Sequence, residues 1–512
     1  MHKKTQIDFI TALNKKRTDI EKLVLGEKNM KGTFGRVYTG ILKKKNQSQK
    51  IAIKTYIMQN LLDRIREIST LKYLKHQNII NLIEILNIEN DTSLIMNFMQ
   101  SNLYVFRKSN QQLCKRMKNN IMDQIISGIS HCHAHKIMHR DLKPQNILVS
   151  RNKSQITIKI CDFGQARLYV PGHCFTLECG TLWYRPFDLL LGNSKYGYDV
   201  DIWAIGCIFF ELTYGRPFLT GSSQWDMIRQ IIEIFPSIEE SWPDVIHCEQ
   251  YIEHGGFPRF INKNANKVPL NMKQFLTIDP VRRVSTKTLQ TRYLNEDIIV
   301  QKCAHTSSQL TNQPELNSKM RLIVLDWISD ITYVRKFSEV TFHTAVVIID
   351  SFLRIKEVAR KRFQLVAVVS IMIASKLHEQ DNLSIADCVY FCDSVYTQSD
   401  AVTTEKQICM SLNYEFMTLT CAEVLTTMNA RSGAFLLSNI YLYYGTVENA
   451  EIVAKNMYYL SECCDSNIKP DESIKEDVKK YINDYLESEF QTMKTHYLEE
   501  VSKLKNWSYL KC

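Results

Sequence analysis

The sequence predicts a mixed region of strands and helices before residue 298, followed by an all-α region. Three observations predict it. Apolar runs of strand type occupy residues 25–57 and 94–99, with a stretch of helical period between them at 61–75. Buried-helix patterns then dominate, as in Asp201-Ile202-Trp203-Ala204-Ile205-Gly206-Cys207. After a polar stretch at 298–314, ending in Asn312-Gln313-Pro314, every strong pattern is helical, beginning with the stripe Met320, Ile323, Val324, Trp327, Ile328 and Ile331.

A chain of 512 residues exceeds what one hydrophobic core organises, so two or three domains are expected. Apolar content of 45% with 23% charged residues is that of a soluble globular protein and argues against a disordered one. The longest useful apolar run, Leu365 to Ala374, is too short to span a bilayer, and no apolar signal core follows Met1-His2-Lys3-Lys4-Thr5-Gln6, so no membrane partner is expected. Fifteen cysteines without a Cys-x-x-Cys spacing read as reduced thiols of an intracellular protein, in cytoplasm or nucleus. The net charge of +10 is concentrated at one end, where residues 1–50 hold 13 Lys/Arg against 4 Asp/Glu. Such an end reads as a solvated face. Without aromatic interleaving or a nucleic-acid module, nucleic acid is not expected as a partner.

Residues 1–21 read as an amphipathic helical extension with Ile7, Ile10 and Leu13 at helical spacing. Strands follow, with a tight turn at Gly32-Thr33-Phe34-Gly35, where glycines let backbone N–H groups approach a phosphate closely. Ile51-Ala52-Ile53-Lys54 is an apolar strand ending in a lysine. The helix at 61–75 carries Leu62, Ile65, Ile68, Leu71 and Leu74 on one side, with Arg66 and Glu67 among them. Leu94 to Met99 is a strand leading into a loop. His139-Arg140-Asp141-Leu142-Lys143-Pro144-Gln145-Asn146 then gathers a base candidate, a cation and a metal ligand. Asp162-Phe163-Gly164 lies sixteen residues past Asn146, behind a strand candidate with Ile156, Ile158 and Ile160. The Asn146 and Asp162 oxygens suit a hard cation such as Mg²⁺.

The order and spacing of these motifs resemble a serine/threonine protein kinase over residues 22–297, closing at Asp279-Pro280-Val281-Arg282-Arg283. Ile65-Arg66-Glu67-Ile68-Ser69 resembles the end of the regulatory helix of the cyclin-dependent branch. The resemblance implies ATP and Mg²⁺ as cofactors and protein substrates as partners. Asp141, Lys143, Lys54 and Glu67 take the catalytic roles. Met30, Gly32, Thr33, Gly35, Val37, Ala52, Lys54, Met96, Met99 and Leu148 line the ATP site, and Asn146 and Asp162 hold the metal. Thr176, in Phe175-Thr176-Leu177-Glu178-Cys179-Gly180-Thr181, aligns with a phosphothreonine set by an activating kinase, clamped by Arg66, Arg140 and Arg167. Four departures stand out. Met30 replaces the first loop glycine. Pro186-Phe187-Asp188 replaces Ala-Pro-Glu, so Asp188 must reach Arg283 with one methylene less. Cys179-Gly180 replaces paired valines and leaves the family's proline preference open. Phe34 replaces an inhibitory phosphotyrosine, with Thr33 beside it.

Further on, Met320-Arg321-Leu322-Ile323-Val324-Leu325-Asp326-Trp327 resembles the opening helix of a cyclin box. Asp350 resembles the partner of Arg321, and Ile373-Ala374-Ser375-Lys376, Val395-Tyr396-Thr397 and Glu405 match later helices. The match spans 315–425. Residues 426–512 are expected to form a shortened second cyclin fold, with Asp471 to Lys505 as one long helical region. The resemblance places Lys376 and Glu405 against the kinase's regulatory helix and makes Met320, Ile323, Trp327 and Asp330 a substrate-docking stripe. The expected whole is an α+β bilobal protein kinase fold followed by an all-α cyclin-box domain. Its function is that of a cyclin-dependent-type kinase tethered to its own cyclin, docked in cis or in trans within a dimer, and controlling cell cycle or transcription. The rival reading is a non-catalytic decoy or scaffold. Met30 and Pro186-Phe187-Asp188 point that way; intact Lys54, Glu67, Asp141, Asn146 and Asp162 point against it.

Overall fold

A computed structural model describes residues 20–506, apart from 33–34, 45–46, 57–60, 89–90, 111–112, 153–154, 236, 254, 258–267, 287, 289–309, 418–419, 429, 445–449, 467–475 and 489–494. Residues 1–19 of the expected N-terminal helix, Thr33, Phe34 and most of the expected linker lie outside the described residues, and the last two residues of that expected helix, Ile20 and Glu21, open a strand instead. The chain divides into two compact units, one of Met1–Tyr169 with Cys174–Ile299 and one of Val170–His173 with Val300–Cys512.

The first unit opens with a five-stranded antiparallel sheet. Its strands are β1 (Ile20–Gly32), β2 (Gly35–Lys44), β3 (Gln47–Tyr56), β4 (Leu82–Ile88) and β5 (Asp91–Asn97), in the order β1-β2-β3-β5-β4. In β3 the period of two buries Ile51 and Ile53 on one face and puts Ala52, Lys54 and Tyr56 on the other. Helix α1 (Leu61–Tyr73) buries Ile65, Ile68 and Leu71, as its spacing requires.

The rest of the unit is mainly helical: α2 (Leu103–Ser109), α3 (Lys115–Ala134), α4 (Asp199–Tyr214) and α5 (Gln224–Ile234). Helix α4 is apolar nearly all round and correspondingly buried nearly all round. Five short strands hold the loops that matter: β6 (Ser101–Asn102), β7 (Ile137–Met138), β8 (Ile147–Asn152), β9 (Gln155–Ile160) and β10 (Arg167–Leu168). β8 and β9 form a hairpin with β6 on its edge, and β10 pairs with β7.

The second unit is all helical among the described residues. Helices α6 (Ser318–Val334), α7 (Glu339–Ile355), α8 (Arg360–His378), α9 (Ile385–Phe391) and α10 (Gln398–Ser411) are followed by α11 (Cys421–Thr427), α12 (Ser432–Tyr444), α13 (Ala450–Asp465), α14 (Glu476–Glu487) and α15 (Leu498–Asn506). Three N-termini carry capping boxes, at Ser384/Asp387, Thr397/Asp400 and Thr420/Glu423. Arg321 of α6 donates from Nε to Asp350 Oδ1 (2.8 Å) and from Nη2 to Oδ2 (2.7 Å), and Nη2 also reaches the Leu442 carbonyl at 3.2 Å. This planar fork ties α6, α7 and α12 together. Asn439 of α12 and Tyr497 both donate to Glu339 at the start of α7, so the C-terminal helices are docked on the first five.

Two details differ from the sequence expectation. Gln313, read as the end of a linker, is buried and bonds three backbone groups of the segment Leu353, Lys356 and Val358, so it belongs to the folded unit. Among the described residues of 471–505, expected as one long helical region, α14 ends at Glu487 and α15 begins only at Leu498. Ser488 stops the first, because its backbone N–H and its hydroxyl both turn back to the Tyr485 carbonyl. No helix among the described residues is long and apolar enough to cross a membrane.

Candidate active site

His139 to Asn146 run from the end of β7 to the start of β8. Arg140 sits at φ 65°, a left-handed conformation uncommon for a side chain of its size. Buried Asp201, at the start of α4, holds it there, accepting the His139 N–H at 2.9 Å, the Arg140 N–H at 2.8 Å and His133 Nε2 at 2.8 Å. Burial alone would raise this carboxyl; the His133 bond and charge and the backbone N–H groups outweigh it, and the carboxyl lies below its ordinary range.

So braced, the loop presents Asp141. Its Oδ1 accepts from the Thr181 N–H (2.9 Å) and the Thr181 hydroxyl (2.9 Å). Its Oδ2 accepts from Lys143 Nζ (2.7 Å) and Asn146 Nδ2 (3.0 Å). Lys143 also donates to the Thr181 hydroxyl at 2.8 Å. The catalytic pair of the sequence reading is thus in contact, with Thr181 closing it from the following segment.

Lys54 of β3 donates to Glu67 of α1 at 2.6 Å and to Asp162 at 3.0 Å. Burial lowers the lysine's pKa, but the charges of Glu67 and Asp162 prevail and hold the ammonium above its ordinary range. Asp162, at φ 69°, is held below its range because Lys54 outweighs the burial penalty. An anionic Asp162 and the oxygen of Asn146, whose amide nitrogen is committed to Asp141, form a donor set that fits Mg²⁺, a cation that keeps water and phosphate as its remaining ligands. When bound, the metal neutralises phosphate charge.

The other expected ATP-site residues fall around this centre. Gly32 and Gly35 face each other across the β1–β2 turn, Met30 is opposite Val37, and Val37 is opposite Lys54. Ala52 is opposite Met96 across β3 and β5, with Met96 buried, and Met99 and Leu148 are half-buried.

Arg66, Arg140 and Arg167 are all buried, while Thr176 is half-buried. Arg140 donates from Nε to the Gln165 carbonyl (2.8 Å) and from Nη1 to the Tyr196 hydroxyl (2.7 Å). Tyr196 in turn donates to the Thr176 carbonyl at 2.7 Å. Arg66 lies 3.9 Å from Asp63, whose carboxyl is raised by burial and by Asp162, with Arg167 and Lys54 pulling it back. Asp63 also closes on Gly164: a side chain at Gly164 would stand 3.2 Å from its Cβ.

Asp188 does reach Arg283 despite the shorter side chain; the pair is wholly buried, and Arg283 also contacts Asp199 at 3.1 Å. Gly180 takes φ 69°, and its carbonyl accepts from Arg185 Nε (3.1 Å) and Nη2 (3.0 Å). In the second unit, Lys376 and Glu405 form a buried pair at 2.6 Å, and the second Glu405 oxygen has no hydrogen-bond partner among the described residues. Met320 and Trp327 are half-buried, Ile323 is 49% exposed and Asp330 is exposed, whereas Arg321, Leu325 and Ile328 of the same helix face the core. His496 stacks on Tyr333 at 3.7 Å and lies 3.8 Å from Asp330, flanking the end of that stripe.

Tyr56, whose hydroxyl donates to Glu67, His133 and Tyr196 carry no motif signal. Only for Tyr56 was a hint available, since two residues past Lys54 on a strand means the same face.

The protein kinase domain family matches residues 25–294, more than half of the chain. The cyclin N-terminal domain family matches residues 291–417. With the Lys54–Glu67–Asp162 and Asp141–Lys143 constellations in place, the chain belongs to the protein kinase family and carries a cyclin N-terminal domain behind its kinase domain.

Proposed function

We propose that this protein is a serine/threonine kinase of cyclin-dependent type, activated by the cyclin on its own chain. The observation that carries the reading is Lys143 on Asp141 at 2.7 Å, closed by Thr181, in a chain that also holds a cyclin domain. Phosphoryl transfer asks an enzyme mainly for positioning and charge neutralisation. Asp141 orients the substrate hydroxyl and takes its proton. Lys143 stands beside the transferred phosphate of ATP. Lys54, held by Glu67, steadies the remaining phosphates, and Asn146 and Asp162 would hold Mg²⁺. Phosphate placed on Thr176 by an activating kinase draws in Arg66, Arg140 and Arg167, whose planar forks suit it.

The preferred phosphoacceptor is followed by proline. Both Arg185 donors occupy the Gly180 carbonyl, which is then poorly placed to accept a backbone N–H from the residue after the phosphoacceptor. Proline has no N–H to leave unpaired. The tethered cyclin stands at an effective concentration on the order of mM, so activity does not wait for a separately supplied partner. Met320, Ile323, Trp327 and Asp330 dock protein substrates involved in cell cycle or transcription.

The test is phosphate transfer from Mg-ATP to serine and threonine peptides, with and without a following proline. The full chain is compared with Asp141→Asn and with residues 1–299. Transfer by the full chain alone supports the reading. No transfer by a full chain phosphorylated on Thr176 would favour the decoy.

A further inference from the structure

Glu67 is held by more than its lysine. Tyr56 lies two residues past Lys54 on β3, on the same face of the strand, with 2% of its surface exposed. Its hydroxyl donates to Glu67 Oε2, the same oxygen that Lys54 Nζ reaches at 2.6 Å. The Lys54 ammonium also sits 5.2 Å from the centre of the Tyr56 ring, within reach of its negative face. One aromatic side chain therefore touches both members of the pair, the acid with its hydroxyl and the cation with its ring. Burial and the neighbouring Glu67 carboxylate keep the phenol protonated, so it remains a donor.

We infer that Tyr56 is a positioning residue for phosphoryl transfer: its hydroxyl is a second tie that keeps Glu67 turned in toward Lys54. The inference rests on the kinase reading. Its logic is one of competing demands on Lys54. That lysine already shares its ammonium between Glu67 and Asp162 and must also serve nucleotide phosphates. Each demand weakens the hold of Lys54 on Glu67. A donor on β3 that makes no use of the ammonium keeps α1 in register with the strand while Lys54 turns to the nucleotide. A hydrogen bond to a buried carboxylate is among the stronger neutral–ionic contacts, and removing its donor leaves a buried oxygen short of a partner.

The experiment is a double-mutant cycle on the full chain with Tyr56→Phe, Glu67→Leu, which leaves the hydroxyl no acceptor, and the pair. Tyr56→Phe removes only the hydroxyl and keeps the ring. Turnover with saturating Mg-ATP and thermal unfolding are both measured. The expected result is that Tyr56→Phe lowers kcat about fivefold to tenfold, and that the same change in the Glu67→Leu background costs little more. An equal cost in both backgrounds would overturn the inference. So would coupling in unfolding without coupling in kcat, since Tyr56 would then be structural only. A wild-type chain that transfers no phosphate fails the kinase reading itself. Coupling in unfolding would then still show the Tyr56–Glu67 bond, and the positioning role would fall with the reaction.

Discussion

Arg283 and Asp188 are 95 residues apart in sequence and meet as an ion pair with no solvent exposure on either side chain. The pair survives a change in the segment around it, where Pro186-Phe187-Asp188 puts a short acid in place of a glutamate. Arg283 compensates by leaning on several acceptors at once: Asp188, Asp199 at 3.1 Å and the Thr277 carbonyl at 2.8 Å.

Breaking one side of such a pair leaves a buried charge unmatched. Arg283→Ala is expected to cost about 3–5 kcal/mol of stability in the first unit. Its denaturant midpoint should fall accordingly, while the transition of the second unit stays in place. A loss below about 1 kcal/mol, the level of an exposed pair, would show that solvent reaches the site.

Thr181 gives both its N–H and its hydroxyl to Asp141 and receives Lys143. Thr181→Val keeps the shape and the backbone bond but removes the hydroxyl between base and cation. We expect kcat to fall about tenfold or more with KM for ATP nearly unchanged, because the lost contact acts on the reacting groups and not on nucleotide binding. Steady-state kinetics on one peptide substrate decides it.

Arg185 occupies the Gly180 carbonyl with two donors. Arg185→Met frees that carbonyl to accept a substrate N–H. A peptide array should then show the preference for a following proline falling by about tenfold relative to alanine, the scale of one hydrogen bond. An unchanged ratio would sever proline selection from this contact.

His131 lies between the rings of His76, at 4.8 Å, and His135, at 4.2 Å. Burial first, and then the charges of His135 and His76, lower its pKa from 6.5 to about 4. The unfolded chain takes up this proton near pH 6.5 and the folded chain only near 4. The contribution to stability is therefore complete above pH 6.5 and is lost as pH falls toward 4. Discounted for the partial exposure of the ring, the effect is on the order of 1 kcal/mol. His131→Phe should narrow the gap between thermal midpoints measured at about pH 7.5 and pH 5, and equal gaps in the two proteins would remove His131 as the cause.

Much of the fold and of the candidate site is legible in the sequence, for a physical reason. The stretch His139 to Asn146, the segment at Asp162 and the glycine turn are short contiguous runs whose residue types suit phosphate and magnesium chemistry. Strand and helix periods announce which faces must be buried, as Ile51 and Ile53 against Lys54 illustrate. The region near the C-terminus was less legible. A continuous apolar period across 471–505 cannot reveal that the Ser488 hydroxyl competes for a helix carbonyl.

The sequence by itself determined the order of the two domains and singled out Lys54, Glu67, Asp141, Asn146 and Asp162 as the candidates for handling phosphate. The tertiary structure alone decided how those groups are held. Tyr56 on Glu67, Tyr196 between Arg140 and Thr176, and Asp188 on Arg283 are contacts between segments whose spacing along the chain carries no information about distance. Periodicity constrains which face a side chain takes. Which partner it meets there depends on the packing of every other element against that face.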